Sequence, residues 1–147
     1  EVELNQTMID DMLEQAKNIS PKIIPQVVKY FNNYEVFSVE EKLMLPIKDV
    51  EELECSFKGY IDLVLKTDDG KYHIIDWKTC SWGWDAKKRS DKYITYQLTL
   101  YKKFFCQKHK VDPSLVETHF ALLKRTAKKD NVEIFRVSSG SHQDHVR

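Results

Sequence analysis

Residues 58–78, KGYIDLVLKTDDGKYHIIDWK, contain two apolar runs separated by a turn signal. The turn residues are Asp68, Asp69 and Gly70, and the glycine stands where such a loop needs a left-handed backbone. The runs on either side are rich in residues that favour strands, namely Ile61, Leu63, Val64, Leu65, Ile74, Ile75 and Trp77. The segment therefore predicts a β-hairpin.

The register of this hairpin would bring two aspartates together. If the loop has three residues, Thr67 pairs with Lys71, and counting outward places Asp62 opposite Asp76. Opposed side chains have Cβ atoms about 5 Å apart, where like charges destabilise a sheet unless something compensates for them. Lys78 would share their face, because it lies two residues beyond Asp76.

The aspartate pair has two interpretations. A divalent cation held by both carboxylates, with the Lys78 ammonium beside it, would form a catalytic site for phosphodiester hydrolysis. Alternatively, Asp62 and Asp76 are two solvated side chains on the polar face of a half-exposed hairpin.

The chain has 147 residues, which suits one domain with one hydrophobic core. We expect that domain to span residues 1–137, and we expect residues 138–147, which lack an apolar pattern, to be a disordered tail. The formal net charge is zero, but residues 1–54 contain 12 acidic and 5 basic residues, whereas residues 78–110 contain 9 basic and 2 acidic ones. The basic segment follows the aspartate pair, where a bound polyanion would need neutralising.

Cys55, Cys80 and Cys106 are too far apart for the paired spacing of a zinc site or the clustered spacing of an iron–sulfur site. Reduced thiols in an intracellular protein are the simplest explanation. No apolar run reaches the length needed to cross a membrane, and no signal peptide is visible, so we expect no membrane partner. The chain begins at Glu1 rather than at a methionine, which suggests a fragment of a longer protein.

Apolar spacing and breaker residues predict the other elements. Two helices are expected over residues 7–17 and 20–31, because Ser20 and Pro21 form an N-cap and first-turn signal. Strands are expected over residues 34–45, 116–123 and 132–137, and a longer helix over residues 91–109. The first strand carries Glu40 and Glu41, one on each face. One of them could complete the metal site, or both could be surface charges on an edge strand.

Residues 79–89 have no clear period and contain two tryptophans followed by three basic residues. Trp82 and Trp84 could stack on bases, and the basic residues that would hold the phosphates of a single strand are Lys87, Lys88 and Arg89. The competing interpretation is that one or both tryptophans cover the core.

The predicted helix over residues 91–109 has an apolar row made of Tyr93, Tyr96, Leu100 and Phe104. Gln97 and Tyr101 stand four residues apart beside that row, so both face one direction. Such a pair suits a polar contact with a bound strand.

Three motifs, in this order, resemble those of the PD-(D/E)XK nuclease superfamily, and most closely its RecB-like branch, which includes phage-type exonucleases. They are Gly59-Tyr60-Ile61-Asp62 on one strand, Ile75-Asp76-Trp77-Lys78 on the next, and Gln97-Leu98-Thr99-Leu100-Tyr101 on a helix. The resemblance implies an α/β fold with a restriction-endonuclease-like core, in which helices flank a central mixed β-sheet. It also implies a nuclease that depends on Mg²⁺ or Mn²⁺.

The resemblance assigns roles to the residues of the two strand motifs. Asp62 and Asp76 would be metal ligands, together with the backbone carbonyl of Trp77. Lys78 would orient the attacking water and offset the charge that develops during hydrolysis.

The resemblance also points to residues outside the hairpin. Gln97 and Tyr101 would contact nucleic acid near the site. Glu40 aligns best with an acidic position on the preceding strand of the family, as a catalytic residue and metal ligand, with Glu41 a close second. RecB-like enzymes have a further metal ligand upstream of these strands, and it has no plain counterpart in this chain. Glu14, or a residue upstream of Glu1, could also supply this ligand.

Together these observations predict an enzyme that hydrolyses DNA phosphodiester bonds, first of all an exonuclease acting on DNA ends or single strands. A structure-selective endonuclease of the same fold comes second. Alternatives from other classes are an inactive nucleic-acid-binding module of a larger helicase–nuclease and a protein–protein adaptor. Expected partners are DNA and a helicase or recombination protein, in the cytoplasm of a bacterial or phage-infected cell. The polarity of digestion, DNA versus RNA and the oligomeric state stay open.

Overall fold

The computed structural model describes residues 6–46 and 56–138. Its helices and strands are, in chain order, α1 (Gln6–Phe31), β1 (Tyr34–Pro46), β2 (Ser56–Thr67), β3 (Tyr72–Cys80), α2 (Ala86–Arg89), α3 (Lys92–His109), β4 (Val116–Lys124) and β5 (Val132–Val137), with a short 3₁₀ turn at Pro113–Leu115 before β4. The expected tail lies outside the described residues, apart from Ser138.

The five strands form one mixed sheet in the order β1-β2-β3-β4-β5. β3 and β4 run parallel, and all other neighbouring strands are antiparallel. A parallel pair needs a long crossover connection, which α2 and α3 supply between β3 and β4. Helices cover the sheet on both faces, which confirms the predicted α/β class with a central mixed sheet.

β2 and β3 form the predicted hairpin. The Thr67 N–H donates to the Lys71 carbonyl at 3.0 Å, and the Gly70 N–H donates to the Thr67 carbonyl at 3.0 Å. Gly70 has a φ of +82°, a conformation that residues with a side chain adopt only at a cost. Backbone pairs then run from Lys66 with Tyr72 to Leu63 with Ile75, which is the predicted register.

The sheet separates two apolar cores, which define an α3 face and an α1 face. On the α3 face, Leu98 and Phe105 of α3 pack with strand residues such as Ile74 and Phe120. On the α1 face, the packed residues are Val27, Phe31, Leu65, Ile75, Ala121 and Ile134. Because side chains alternate along a strand, Asp76 belongs to the α3 face of β3, whereas its neighbours in sequence belong to the α1 face.

α1 is one continuous helix, so the prediction of two helices separated at Ser20 and Pro21 was wrong. A row of apolar residues four apart, Ile19, Ile23, Val27 and Phe31, runs across the proline without interruption, and three of them are buried. Pro21 and Pro25 are exposed, so water can satisfy the carbonyl groups that lose their helical partners. Tertiary packing of one continuous face therefore overrides the local break signal.

α3 begins and ends close to its predicted bounds. The Asp91 carboxylate accepts the Tyr93 N–H at 2.8 Å as an N-cap, and Lys110 ends the helix in a left-handed conformation. The predicted apolar row was partly wrong, because Tyr93 is 94% exposed and Tyr96 is 60% exposed. The residues of α3 that are buried are Leu98, Tyr101, Phe104, Phe105 and Cys106. Tyrosine carries a polar hydroxyl, so periodicity alone did not identify the buried side.

The remaining strands match their predictions to within one residue at each end. Within the two described ranges, no helix combines the length and the apolar character needed to cross a membrane.

Candidate active site

Asp62 and Asp76 lie where β2 and β3 part. The backbone pairing of the two strands ends at Leu63 with Ile75, and these aspartates are the next residues on either strand. Just beyond the last pair, the Trp77 N–H donates to the Asp62 Oδ2 at 3.0 Å. A side-chain oxygen thus binds a backbone group of β3, which fixes one carboxylate beside the other.

Asp76 is the buried member of the pair, with 5% of its surface exposed. Burial, together with the neighbouring Asp62 carboxylate, raises the pKa of the Asp76 carboxyl from 3.8 to about 6, although the Lys78 ammonium lowers it. The Lys78 Nζ lies 2.9 Å from the Asp76 Oδ2. The two aspartates and the lysine therefore gather at one point on the sheet, and two negative charges there share one positive charge.

α3 contributes a polar contact to the same point. The Lys78 Nζ donates to the Gln97 Oε1 at 3.2 Å, and the Gln97 Nε2 donates to the Tyr101 hydroxyl at 2.9 Å. Burial and the negative charge of Asp76 raise the pKa of the Tyr101 hydroxyl, so it stays neutral. The predicted Gln97–Tyr101 pair thus holds the lysine from the helix side.

The donor set fits a hard divalent cation. The Asp76 Oδ2 is buried and accepts no well-aligned hydrogen bond from the described residues, although the Lys78 ammonium lies close to it. Asp62 and Asp76 together have this one ammonium close by, so a divalent cation would offset the negative charge that remains. Carboxylate oxygens from Asp62 and Asp76 favour Mg²⁺ or Mn²⁺ over softer metals. The Trp77 backbone, whose N–H already binds Asp62, lies between the aspartate and lysine positions of β3.

Glu40 lies across from Asp62. Val39 pairs with Leu63 and Glu41 pairs with Ile61, so Glu40 occupies the register position that faces the aspartate. Its φ is 50°, which is an unusual left-handed conformation for a residue inside a strand, and its side chain is exposed. Strained backbone of this kind persists where the surrounding structure imposes it, often at functional sites.

Glu41 and Glu14 are placed differently. Glu41 is 8% exposed and pairs with residues at the end of α3, with its Oε2 2.7 Å from the His109 Nε2 and 3.4 Å from the Lys108 Nζ. These partners occupy the carboxylate, so Glu41 joins β1 to α3. Glu14 is exposed in the first half of α1.

The two tryptophans of the segment after β3 have separate locations. Trp84 is 9% exposed and packs against Phe120 and Phe135, with ring centroids 5.1 and 6.3 Å apart. Its ring is therefore a core residue and is not accessible for base stacking, as the competing interpretation held. Trp82 is 69% exposed, so its ring is accessible.

The three basic residues of the same segment also differ in their environments. Lys87 and Lys88 are exposed on α2. Arg89 is instead engaged within the protein, because its guanidinium lies 2.6 Å from Glu133 and 4.4 Å from the centre of the Phe135 ring. Arg89 thus holds α2 against β5, whereas the two lysines are exposed and the Lys88 Nζ lies 4.9 Å from the centre of the Trp84 ring.

Two polar clusters were not predicted from the sequence. One is the Glu41–His109 pair, and the other is formed by His73, Glu117 and His119 on the α1 face. The available signal was the histidine in each of two apolar strands, where an imidazole is uncommon. The pairing of β3 with β4 that brings these residues together is non-local, so the sequence did not predict it.

Comparison with known families agrees with the arrangement of the hairpin and α3. The family model of the PD-(D/E)XK nuclease superfamily matches residues 5–146. The chain belongs to this superfamily. The two strand motifs and the helix motif follow one another along the chain in the order typical of the superfamily. In the structure, their polar side chains meet at one site.

A solved structure of low sequence identity shares the fold of this PD-(D/E)XK protein. A structure of a "Putative exonuclease" from Eubacterium rectale has a TM-score of 0.55 and 15% identity, over 90% of this chain and 48% of that one. A structure named SSO0001 has a TM-score of 0.49 and 20% identity, over 82% of this chain and 50% of that one. The chain therefore spans about half the length of both. No curated protein matches its sequence at a significant level.

Proposed function

We propose that this chain is a metal-dependent nuclease that hydrolyses DNA phosphodiester bonds, with exonuclease action on DNA ends or single strands. The observation that carries the proposal is the convergence of Asp62, Asp76 and Lys78 where β2 and β3 part. Membership of a nuclease superfamily supports this use of the three groups.

The chemistry of each side chain suggests a separate role in the proposed reaction. Asp62 and Asp76 would hold Mg²⁺ or Mn²⁺ with the Trp77 carbonyl, and Glu40 is the fourth candidate ligand because its register position faces Asp62. The bound cation would lower the pKa of a water molecule and offset charge on the scissile phosphate. Lys78, steadied by the Gln97 amide oxygen 3.2 Å away, would orient that water and donate to the developing charge.

The preference for single strands or ends rests on exposed residues of α3 and of the segment that follows β3. Trp82 and two tyrosines of α3, Tyr93 and Tyr96, are exposed aromatic residues, and every base has a face on which such rings can stack. Lys87 and Lys88 supply positive charge on the neighbouring helix α2. The likeness to a structure named "Putative exonuclease" agrees with this preference, and a helicase or recombination protein is the proposed protein partner.

Cleavage of end-labelled DNA and RNA, single-stranded and duplex, with Mg²⁺, Mn²⁺ or Ca²⁺ tests the proposal. We expect cleavage with Mg²⁺ or Mn²⁺, and a loss of at least about 100-fold in Asp76→Asn and Lys78→Met, since each removes a group used directly in the transition state. Asp68→Asn at the exposed hairpin tip and Lys129→Met are matched controls that should retain full activity.

Three results would contradict the proposal. Cleavage that survives in Asp76→Asn would place the active site elsewhere. Salt-sensitive binding of DNA without cleavage, by a folded protein in either metal, would establish a binding module instead. If the folded protein showed no binding and no cleavage of nucleic acid, the interpretation as a protein–protein adaptor would remain.

A further inference from the structure

A second group of metal-ligating side chains lies on the α1 face, away from Asp76. His73 is on β3, and Glu117 and His119 are on the neighbouring strand β4. In the parallel register His73 pairs with Glu117, and Ile75 pairs with His119, so the three side chains project from the same side of the sheet. Each offers one ligand atom, and these three atoms lie within 4.8 Å of one another.

The spacing of the three atoms fits one small cation. The His73 Nδ1 lies 3.0 Å from the His119 Nε2 and 3.7 Å from the Glu117 Oε1, and the latter two atoms are 4.0 Å apart. Tetrahedral zinc with bonds of about 2.0–2.2 Å to nitrogen and oxygen separates its ligand atoms by roughly 3.3–3.6 Å. Shifts of well under 1 Å would therefore bring all three atoms to binding distance.

The outer nitrogen of each imidazole already has a partner. Thr67 donates its hydroxyl proton to Asp69, so the Thr67 oxygen accepts from the His73 Nε2 at 3.0 Å. That arrangement leaves the lone pair of the His73 Nδ1 directed into the cluster. On the other side, the Tyr30 hydroxyl of α1 lies 3.4 Å from the His119 Nδ1. Partners of this kind fix the tautomer and the ring orientation of histidines that bind metals.

The same contacts show where one proton must move. Without a cation, the His119 Nε2 donates to the lone pair of the His73 Nδ1, at 3.0 Å. When a cation binds both nitrogens, this proton shifts to the His119 Nδ1, where the Tyr30 oxygen becomes its acceptor. The imidazole stays neutral throughout, so the exchange is a change of tautomer.

The surroundings favour neutral imidazoles and leave one carboxylate oxygen available. The Phe31 ring packs against His73 and His119, with centroids 4.9 and 5.2 Å away, and burial lowers the pKa of both histidines, that of His119 to about 3. Lys71 binds the other oxygen of Glu117, Oε2, at 3.1 Å.

The remaining charged neighbour can move away. Arg136 approaches the Glu117 Oε1 at 3.7 Å, but 62% of its side chain is exposed, so it can turn towards water. No other positive group would then compete for that oxygen among the described contacts of the cluster.

We propose that His73, Glu117 and His119 form a second divalent-metal site, which takes Zn²⁺ or another cation that prefers imidazole nitrogen, and which ties β3, β4 and α1 together. The site differs from the carboxylate site in ligand chemistry, because two of its three ligands are nitrogen atoms. It is independent of the proposed nuclease activity, since the two sites lie on opposite faces of the sheet.

Calorimetric titration of the metal-stripped full chain with Zn²⁺, in excess Mg²⁺ to fill the carboxylate site, tests the proposal. We expect one equivalent of Zn²⁺ to bind to the wild type and equally to Asp76→Asn. Affinity should fall at least about tenfold in Glu117→Gln and in His119→Gln, the loss typical of a removed ligand or ligand partner. X-ray absorption should find nitrogen and oxygen neighbours at about 2.0–2.2 Å and no sulfur at about 2.3 Å, which excludes cysteine ligands.

Two outcomes would overturn the proposal. If the folded wild type did not bind Zn²⁺, His73 and His119 would be a hydrogen-bonded pair and not part of a metal site. Binding that is unchanged in Glu117→Gln would locate the zinc elsewhere. Glu117 is less buried than His119, so this variant gives a decisive result even if His119→Gln does not fold.

Discussion

Asp62 accepts the backbone N–H of Trp77 at 3.0 Å, so one carboxylate both joins β2 to β3 and borders the candidate metal site. These two roles can be separated by substitution. Asp62→Asn keeps an acceptor oxygen for Trp77 but loses the charge, so we expect a nearly unchanged free energy of unfolding and a loss of Mn²⁺ binding. Asp62→Ala should lose both, with the free energy of unfolding lower by about 1–2 kcal/mol. Urea denaturation and Mn²⁺ titration of the two variants provide the comparison.

Unchanged Mn²⁺ binding in Asp62→Asn would refute the assignment of Asp62 as a metal ligand. If Asp62→Asn bound Mn²⁺ as tightly as the wild type, the aspartate would act only as a strand connector. Asp68→Asn, at the exposed hairpin tip, controls for the general loss of one negative charge.

Asp76 gives the metal-free protein a defined pH dependence. Its folded pKa, about 6, exceeds the ordinary 3.8, so between these values the folded protein retains a proton that the unfolded chain releases. Stability without metal should therefore fall as the pH rises from about 4 to about 7, by up to about 3 kcal/mol from this group. Asp76→Asn should lack this loss, so in EDTA it should be more stable than the wild type at pH 7 but not at pH 4.

Melting temperatures across this pH range, with EDTA and with Mn²⁺, check the prediction for Asp76. Mn²⁺ competes with the proton for the carboxylate, so it should stabilise the wild type more at pH 7 than at pH 5, and Asp76→Asn at neither. An Asp76→Asn protein with the same pH dependence as the wild type would show that this carboxyl is not the group responsible.

Glu40 and Glu41 offer a matched pair, because they are neighbours with opposite environments. Glu40 is exposed across from Asp62, so Glu40→Gln should lower cleavage and Mn²⁺ affinity and leave the melting temperature unchanged. Glu41 is buried against His109 and Lys108, so Glu41→Gln should lower the free energy of unfolding by about 1–3 kcal/mol. Loss of Mn²⁺ binding in Glu41→Gln alone would make Glu41 the ligand instead.

Gln97 should act through Lys78 as a positioning residue. Its amide oxygen accepts from the ammonium at 3.2 Å, and Gln97 is exposed, so Gln97→Ala should lower kcat about tenfold with little change in KM or melting temperature. Gln107→Ala is the control, because Gln107 is an exposed glutamine almost three turns further along α3. An equal fall in kcat for both variants would assign the effect to α3 as a whole rather than to Lys78.

Local signals in the sequence were sufficient for the hairpin and for its register. Asp68, Asp69 and Gly70 define a three-residue loop, and its length sets the pairs from Lys66 with Tyr72 to Leu63 with Ile75. Asp62 and Asp76 are the next residues on the two strands. The four-residue spacing of Gln97 and Tyr101 was likewise sufficient to predict that their side chains lie on the same side of α3. These inferences succeeded because each depends on residues that are near in sequence.

Features that depend on tertiary contacts were not predictable in the same way. Pro21 reads locally as a helix start, yet the face carrying Val27 and Phe31 packs as one row and keeps α1 continuous. His73 meets His119 only because β3 and β4 pair in parallel across the α3 crossover. Sequence periodicity contains no information about which strands become neighbours.

Trp82 and Trp84, two residues apart, should respond oppositely to truncation. Trp84 packs in the core, so Trp84→Ala should lower the free energy of unfolding by about 3–5 kcal/mol, whereas the exposed Trp82 should tolerate alanine without loss of stability. Trp82→Ala should instead weaken binding of a single-stranded oligonucleotide by at least about fivefold, since stacking of a base on an aromatic ring contributes about 1–3 kcal/mol.

Fluorescence anisotropy with a labelled oligonucleotide, in Ca²⁺ so that the strand stays intact, would measure the effect at Trp82. Trp82→Phe keeps an aromatic face and should retain most of the affinity, which distinguishes stacking from a general change in the segment. The salt dependence should be the same in all three proteins, because the phosphate contacts proposed for Lys87 and Lys88 would be unaltered. Unchanged affinity in Trp82→Ala would exclude this residue from the nucleic-acid interface.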